Sequence, residues 1–187
     1  MRLIKPKLPH LVSERVTARL LEPHEAPMMT RFRKENRAHL EPWEPLRKPE
    51  FFTDSFWQIS LRVALGDFRN GASVCFSLLS PTEDEVIGVC NYTNVVRGTF
   101  QSCHLGYALA SRHEGQGLMF EALQMTNRYM FHDLGLHRVM AGYLPHNDRS
   151  GTLLERLGFE KEGFARRYLK INGEWEDHVL TSLINDE

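Results

Sequence analysis

The stretch Leu105-Gly-Tyr-Ala-Leu-Ala-Ser-Arg-His-Glu-Gly-Gln-Gly-Leu-Met-Phe-Glu-Ala-Leu123 decides how this chain is built. Leu105, Tyr107 and Leu109 share one face of a strand expected over Ser102–Ala110. A Gly-x-Gly turn follows at Gly115 to Gly117. Beyond it Met119, Ala122, Leu123, Thr126, Tyr129 and Met130 recur at helical spacing, which predicts a helix from Gly117 to Asp133, ended by Gly135. Strand, glycine turn and helix together make an anion site. Glycine lets backbone come close, the first amides of a helix lack an internal partner, and the helix dipole favours negative charge there. A tight connection with no ligand would also use such a turn. The dinucleotide form G-x-G-x-x-G is absent, because Phe120 holds its third position, and there is no G-x-x-x-x-G-K phosphate loop.

A second stretch repeats the arrangement. His137-Arg-Val-Met-Ala-Gly-Tyr-Leu-Pro-His-Asn-Asp-Arg-Ser-Gly-Thr-Leu-Leu-Glu-Arg-Leu-Gly-Phe-Glu-Lys-Glu-Gly163 reads as a strand, a turn at Asn147, a short helix over Asp148–Leu157 and another strand. Asn147 suits a helix cap as well as a ligand contact. Gly117 and Asn147 lie 30 residues apart. Two such turns at the ends of neighbouring strands predict one cleft between them, open to an elongated ligand.

Working outward, Arg15–Leu21 reads as a first strand and His24–Leu40 as a helix, stopped by Glu41-Pro-Trp-Glu-Pro45. Thr53 should cap a helix reaching Asn70. Ala72–Ser80 and Val86–Val95 form a hairpin, and Asn172-Gly173 joins two final strands, Phe159–Ile171 and Glu174–Ile184. The order βααβββαβαββ predicts a mixed α/β layered domain with a mostly antiparallel sheet flanked by helices. Residues 1–14 read as a lead-in and 15–187 as one domain.

Composition narrows the function. With 187 residues, 42% hydrophobic and 25% charged, the chain has the profile of a globular protein with a sizeable core. A net charge of −1 argues against binding nucleic acid through phosphates over the whole surface. No run approaches a membrane span, and the basic, proline-broken start lacks the apolar stretch of a signal peptide. Cys75, Cys90 and Cys103 fit neither a zinc pattern nor a disulfide framework and read as small buried thiols, so the expected setting is the cytoplasm. None of the 9 histidines forms a metal-like or triad-like cluster.

These residues resemble the GNAT acetyltransferase superfamily over about Arg15–Ile184. The first stretch looks like its acetyl-CoA pyrophosphate loop, the second like its Asn-x-x-(small)…Leu-Gly-Phe motif. Glu35-Asn-Arg-Ala-His-Leu-Glu-Pro-Trp-Glu-Pro45, Asn91-Tyr-Thr-Asn-Val-Val-Arg-Gly98 and Gly117-Leu-Met-Phe-Glu-Ala-Leu123 further resemble the RimJ-type branch, which acetylates the N-terminal alanine of a small-subunit ribosomal protein. The superfamily loop Q/R-x-x-G-x-G/A fits literally from Arg112 to Gly117. Counting from the strand end instead puts Glu114 first and Met119 last, and that register is preferred because the strand fixes it. Glu114 must then turn outward, with Arg112 available to offset its charge.

The resemblance implies acetyl-CoA as co-substrate, no metal, and direct transfer in a ternary complex. Leu109, Gly115, Gln116, Gly117, Leu118, Met119, Asn147 and Ser150 would bind the cofactor, and a backbone amide of the Ser102–Ala110 strand would polarise the carbonyl. Many members carry a tyrosine acid seven residues after the Asn. Leu154 stands there, which leaves Ser150 to steady or protonate the thiolate. Glu44, on the rigid Glu41–Pro45 segment, is the first expectation for the base, with a water relay or His104 as runner-up. Trp43 and Tyr92 are the expected walls of the acceptor pocket. Expected partners are a ribosomal protein N-terminus and the assembling small subunit, with no membrane and no sequence-specific nucleic acid. A small-molecule amine acetyltransferase, a ribosome-assembly or regulatory binding protein with dispensable catalysis, and a generic nucleotide-binding fold remain open alternatives.

Overall fold

In the computed structural model, which describes residues 7–186, both strand-to-helix turns follow adjacent strands at the middle of one eight-stranded sheet. Its strands are β1 (His10–Val12), β2 (Thr17–Arg19), β3 (Val74–Leu79) and β4 (Val86–Val96), then β5 (Ser102–Leu109), β6 (Arg138–Tyr143), β7 (Glu160–Ile171) and β8 (Glu174–Ile184). Spatial order is β1-β2-β3-β4-β5-β6-β8-β7. All neighbours are antiparallel except β5 and β6. The helices are α1 (Ala26–Glu35), α2 (Arg37–Leu40), α3 (Asp54–Arg69), α4 (Leu118–Arg128) and α5 (Asp148–Arg156).

Helix starts follow their caps. Thr53 Oγ1 accepts the Phe56 N–H at the head of α3, and Asn147 Oδ1 accepts the Ser150 N–H at the head of α5. The expected helix over His24–Leu40 is broken at Asn36. There Nδ2 donates to Phe32 O and Oδ1 accepts the Ser111 N–H, so the side chain competes with the helix ladder and ties α1 to the loop after β5. The expected first strand shortens to Thr17–Arg19. The lead-in expected over residues 1–14 lies partly outside the described residues, and within it His10–Val12 form β1 by pairing with β2. Three residues gave no alternation long enough to predict that strand.

Strand alternation sends side chains to two cores. Cys103 and Leu105 of β5 join Met119, Ala122 and Leu123 of α4 and Leu154 of α5. Ala110, just past the end of β5, packs instead with Met29 and Phe32 of α1 and Leu61 of α3. Each large apolar side chain fully removed from water contributes about 1.5–3 kcal/mol. This two-sided burial fixes the register of the central strands.

Candidate active site

β5 and β6 pair in parallel from Ser102/Arg138 to Leu105/Ala141. Beyond that they part. β5 stays with β4 as far as Leu109, and β6 stays with β8 as far as Tyr143. The gap floors a cleft of about 1160 Å³, lined by the starts of α4 and α5, by Trp43 and Pro45, and by parts of the β7–β8 hairpin. Ala110 N–H donates to Ile87 O on the β4 side. By antiparallel alternation the N–H groups of Tyr107 and Leu109 therefore point the other way, into the gap.

At one end of the cleft, Gly115 and Gly117 take left-handed φ of +72° and +77°. A side chain would strain either. They are the two glycines of the literal register, whereas Met119 lies in the first turn of α4 with a buried side chain. The stretch counted from the strand end, Glu114 to Met119, spans this turn and the first amides of α4. The first helical bond beyond the turn runs from Glu121 N–H to Gly117 O, so the amides of Leu118, Met119 and Phe120 project from the helix end. Leu109, Gly115, Gly117, Leu118 and Met119 all line the cleft. The Gln116 side chain turns back, its Nε2 donating to Arg112 O, and its carbonyl accepts from Arg15 Nη1 at 2.9 Å, so only its backbone amide remains for a ligand. Glu114 pairs with Arg149 and stands 3.2 Å from His39 Nε2. Arg112 does not offset it, being paired with Glu85 and Glu35.

Midway along the cleft, Ser150 Oγ lies 2.5 Å from Tyr107 Oη. Burial pushes the Tyr107 phenol up to about 12, only partly opposed by its bond to Ser150. It therefore stays protonated at neutral pH. Asn147 caps α5 and also lines the cleft. Leu154, by contrast, is core. Tyr107 was missed as a functional residue although its face on β5 was legible, because alternation alone does not reveal that it meets Ser150 from 43 residues away.

At the other end, Trp43 lines the cleft, its ring 5.7 Å from that of His146. The Glu44 backbone carbonyl accepts the Asn172 N–H at 2.8 Å, which ties this segment to the β7–β8 turn. Two expectations are overturned. Tyr92 is not a pocket wall: it is fully buried beneath α4, donates to Asn127 Oδ1 at 2.7 Å, and burial raises its phenol well above the usual value. Glu44 does not face the cleft. Its carboxylate turns back to Arg33 Nη1 at 2.7 Å, with Arg47 3.5 Å away. The Arg33 side chain is only 6% exposed and lies over Phe32, Phe51 and Trp57. His104 does line the cleft, but its Nδ1 is buried without a hydrogen-bond partner. Among the described residues no group of His, Cys, Asp or Glu is arranged to hold a metal ion, and no helix is long and apolar enough to cross a membrane.

An amide-lined helix end, a gap between parted parallel strands and a hydroxyl pair between them define an acyl-CoA-dependent transferase. The acetyltransferase (GNAT) domain profile matches residues 15–160, and the chain belongs to that family. The protein is an acetyl-CoA-dependent N-acetyltransferase. Over 178 residues it is 47% identical to the [ribosomal protein uS5]-alanine N-acetyltransferase of Escherichia coli (strain K12), an alignment covering 95% of this chain and 91% of that one. The crystal structure of the ribosomal-protein-S5-alanine acetyltransferase from Vibrio fischeri superposes with a TM-score of 0.92 at 39% identity, covering 96% of this chain and 98% of that one. Mycobacterium smegmatis RimJ, solved in complex with CoA-disulfide, gives 0.87 at 28% identity, covering 98% and 89%.

Proposed function

We propose that this enzyme acetylates the N-terminal α-amine of a ribosomal protein, with alanine as the preferred first residue. It would meet that protein in the cytoplasm, on or before its entry into the small ribosomal subunit. The observation that carries the reading is the continuity of one cleft from the amides of α4 to Trp43, together with the 47% identity to a uS5-alanine N-acetyltransferase. Acetyl-CoA lies along the gap with its pyrophosphate at the Gly115–Phe120 amides and its thioester beside Tyr107 and Leu109. The acceptor amine enters past Trp43.

An α-amino group has a pKa of about 8, so part of it is neutral at pH 7 and can attack the carbonyl directly. As the C–N bond forms, the Leu109 N–H stabilises the developing oxyanion. As the C–S bond breaks, negative charge moves to sulfur. Tyr107 remains protonated and donates to Ser150 Oγ, which turns the Ser150 hydroxyl hydrogen toward the thiolate. The amine meanwhile gives up a proton to a base on the acceptor side of the cleft, and the proton goes on to water.

The test is an intact-mass assay with acetyl-CoA and peptides beginning in Ala, Ser or Met, an N-blocked Lys peptide, and free amines. Gain of one acetyl group on the Ala peptide, ahead of the others, is expected. Acetylation of free amines alone would replace this reading with a small-molecule one.

A further inference from the structure

Transfer to an amine requires a group that takes a proton where the acceptor sits, and most acidic side chains of the cleft are already engaged. Glu114 is held by Arg149 and His39 at the cofactor end. Glu162 pairs with Arg138 at 2.7 Å, Asp148 lies in the first turn of α5 beside Ser150, and Glu44 faces away to Arg33. Two imidazoles remain on the acceptor side, His104 on β5 and His178 on β8.

They differ in one respect that decides between them. No hydrogen bond fixes which ring nitrogen of His104 carries the proton, since its Nδ1 is buried without a partner. His178 Nδ1 lies 3.1 Å from the backbone carbonyl of Glu176. A carbonyl only accepts, so Nδ1 carries the hydrogen and the lone pair of the neutral ring is on Nε2. His178 is 3% exposed and lines the cleft, and with Nδ1 held by Glu176 O, Nε2 is the ring nitrogen left to serve it.

The surroundings suit a positioned base. His178 lies against Gly142, where a Cβ would come within 3.6 Å of its Cδ2. Gly142 follows Ala141, the residue at which β6 leaves β5, so the imidazole stands beside the point where the gap opens. The Tyr168 ring, 5.6 Å away and tilted by 59°, closes its outer side.

We propose that His178 is the general base of the transfer, a role that rests on the cleft being an α-amine acetylation site. Nε2 accepts the proton of the attacking amine as the C–N bond forms and the C–S bond breaks. The electron pair of the C–S bond leaves with sulfur, beside Ser150. The proton on Nε2 then passes to water, and the ring returns to its starting tautomer.

The test uses the full chain with acetyl-CoA and an Ala peptide, comparing wild type, His178→Gln and His178→Ala, with calorimetric CoA binding measured on each. For a base acting on an amine that is already partly neutral, kcat should fall about a hundredfold. CoA affinity should stay within twofold, and added imidazole should restore part of the rate to the His178→Ala enzyme. A kcat within twofold of wild type, or a loss that imidazole leaves untouched, overturns the assignment. Wild-type enzyme that leaves the Ala peptide unmodified would overturn the reading of the site itself, which separates the two failures.

Discussion

The two ends of the cleft are made in different ways. The cofactor end comes from consecutive residues: Ala110 to Phe120 form the turn and the exposed amides, and Asn147 to Ser150 form a capped helix start. The acceptor end has no such local unit. Trp43 is held by an ion pair between Glu44 and Arg33 and by a backbone bond from Asn172, while His178 arrives on β8, the last strand of the chain, paired beside β6. A short motif can hold a phosphate because backbone amides do the work. A substrate pocket needs side chains from distant elements, and each of those depends on packing elsewhere.

Three substitutions sharpen the contrast. Arg33→Met should have the largest effect, because it leaves the partly buried Glu44 carboxylate with Arg47 alone, 3.5 Å away; breaking a buried pair costs about 3–5 kcal/mol, and the remaining partner holds the loss to the low end, about 3 kcal/mol. Its effect should be divided between the two ends, with lower thermal stability and a raised peptide KM but unchanged CoA binding by the folded fraction. Equal loss of CoA affinity would mean the two ends are not separable. Gly117→Glu should do the reverse, because it places a carboxylate and a strained backbone at the anion site. CoA affinity should weaken at least a hundredfold, about 2.7 kcal/mol, and calorimetry showing normal binding would remove the pyrophosphate from this turn. Smallest is Tyr107→Phe, expected to lower kcat about tenfold, near 1.4 kcal/mol, with acetyl-CoA KM unchanged. That loss should vanish in a Ser150→Ala background. An additive double mutant would show that Tyr107 acts independently of Ser150.

Legibility in the sequence follows the same division. Thr53, Asn147 and the Asn172-Gly173 turn announced their elements because caps and tight turns are set by a few adjacent residues. The cofactor loop was readable down to its glycines, Gly115 and Gly117, because positive φ leaves few other residues possible there. The break at Asn36 was not readable, because it depends on an amide 75 residues away. Of the acceptor residues read from the sequence, Trp43 does line the cleft, and Tyr92 and Glu44 do not. Tyr92 and Trp43 look alike as aromatics in a sequence, and only the fold shows that Tyr92 on β4 points beneath α4 while Trp43, on the turn after α2, lines the cleft. Glu44 had the right loop but the wrong direction, since its carboxylate answers to Arg33. His178 carried no local signal, because its tautomer is set by a backbone carbonyl.

The parting of β5 and β6 also bears on the protein's lifetime. Tyr107 and Leu109 offer N–H groups to a space where a neighbouring strand would otherwise stand, and the amide-bearing arm of acetyl-CoA can serve as a borrowed strand. Binding then continues folding. A ligand held only by the native state adds about 2.7 kcal/mol of stability at a hundredfold excess over Kd. The supply of acetyl-CoA would thus set how fast this enzyme works and also how long each copy resists degradation.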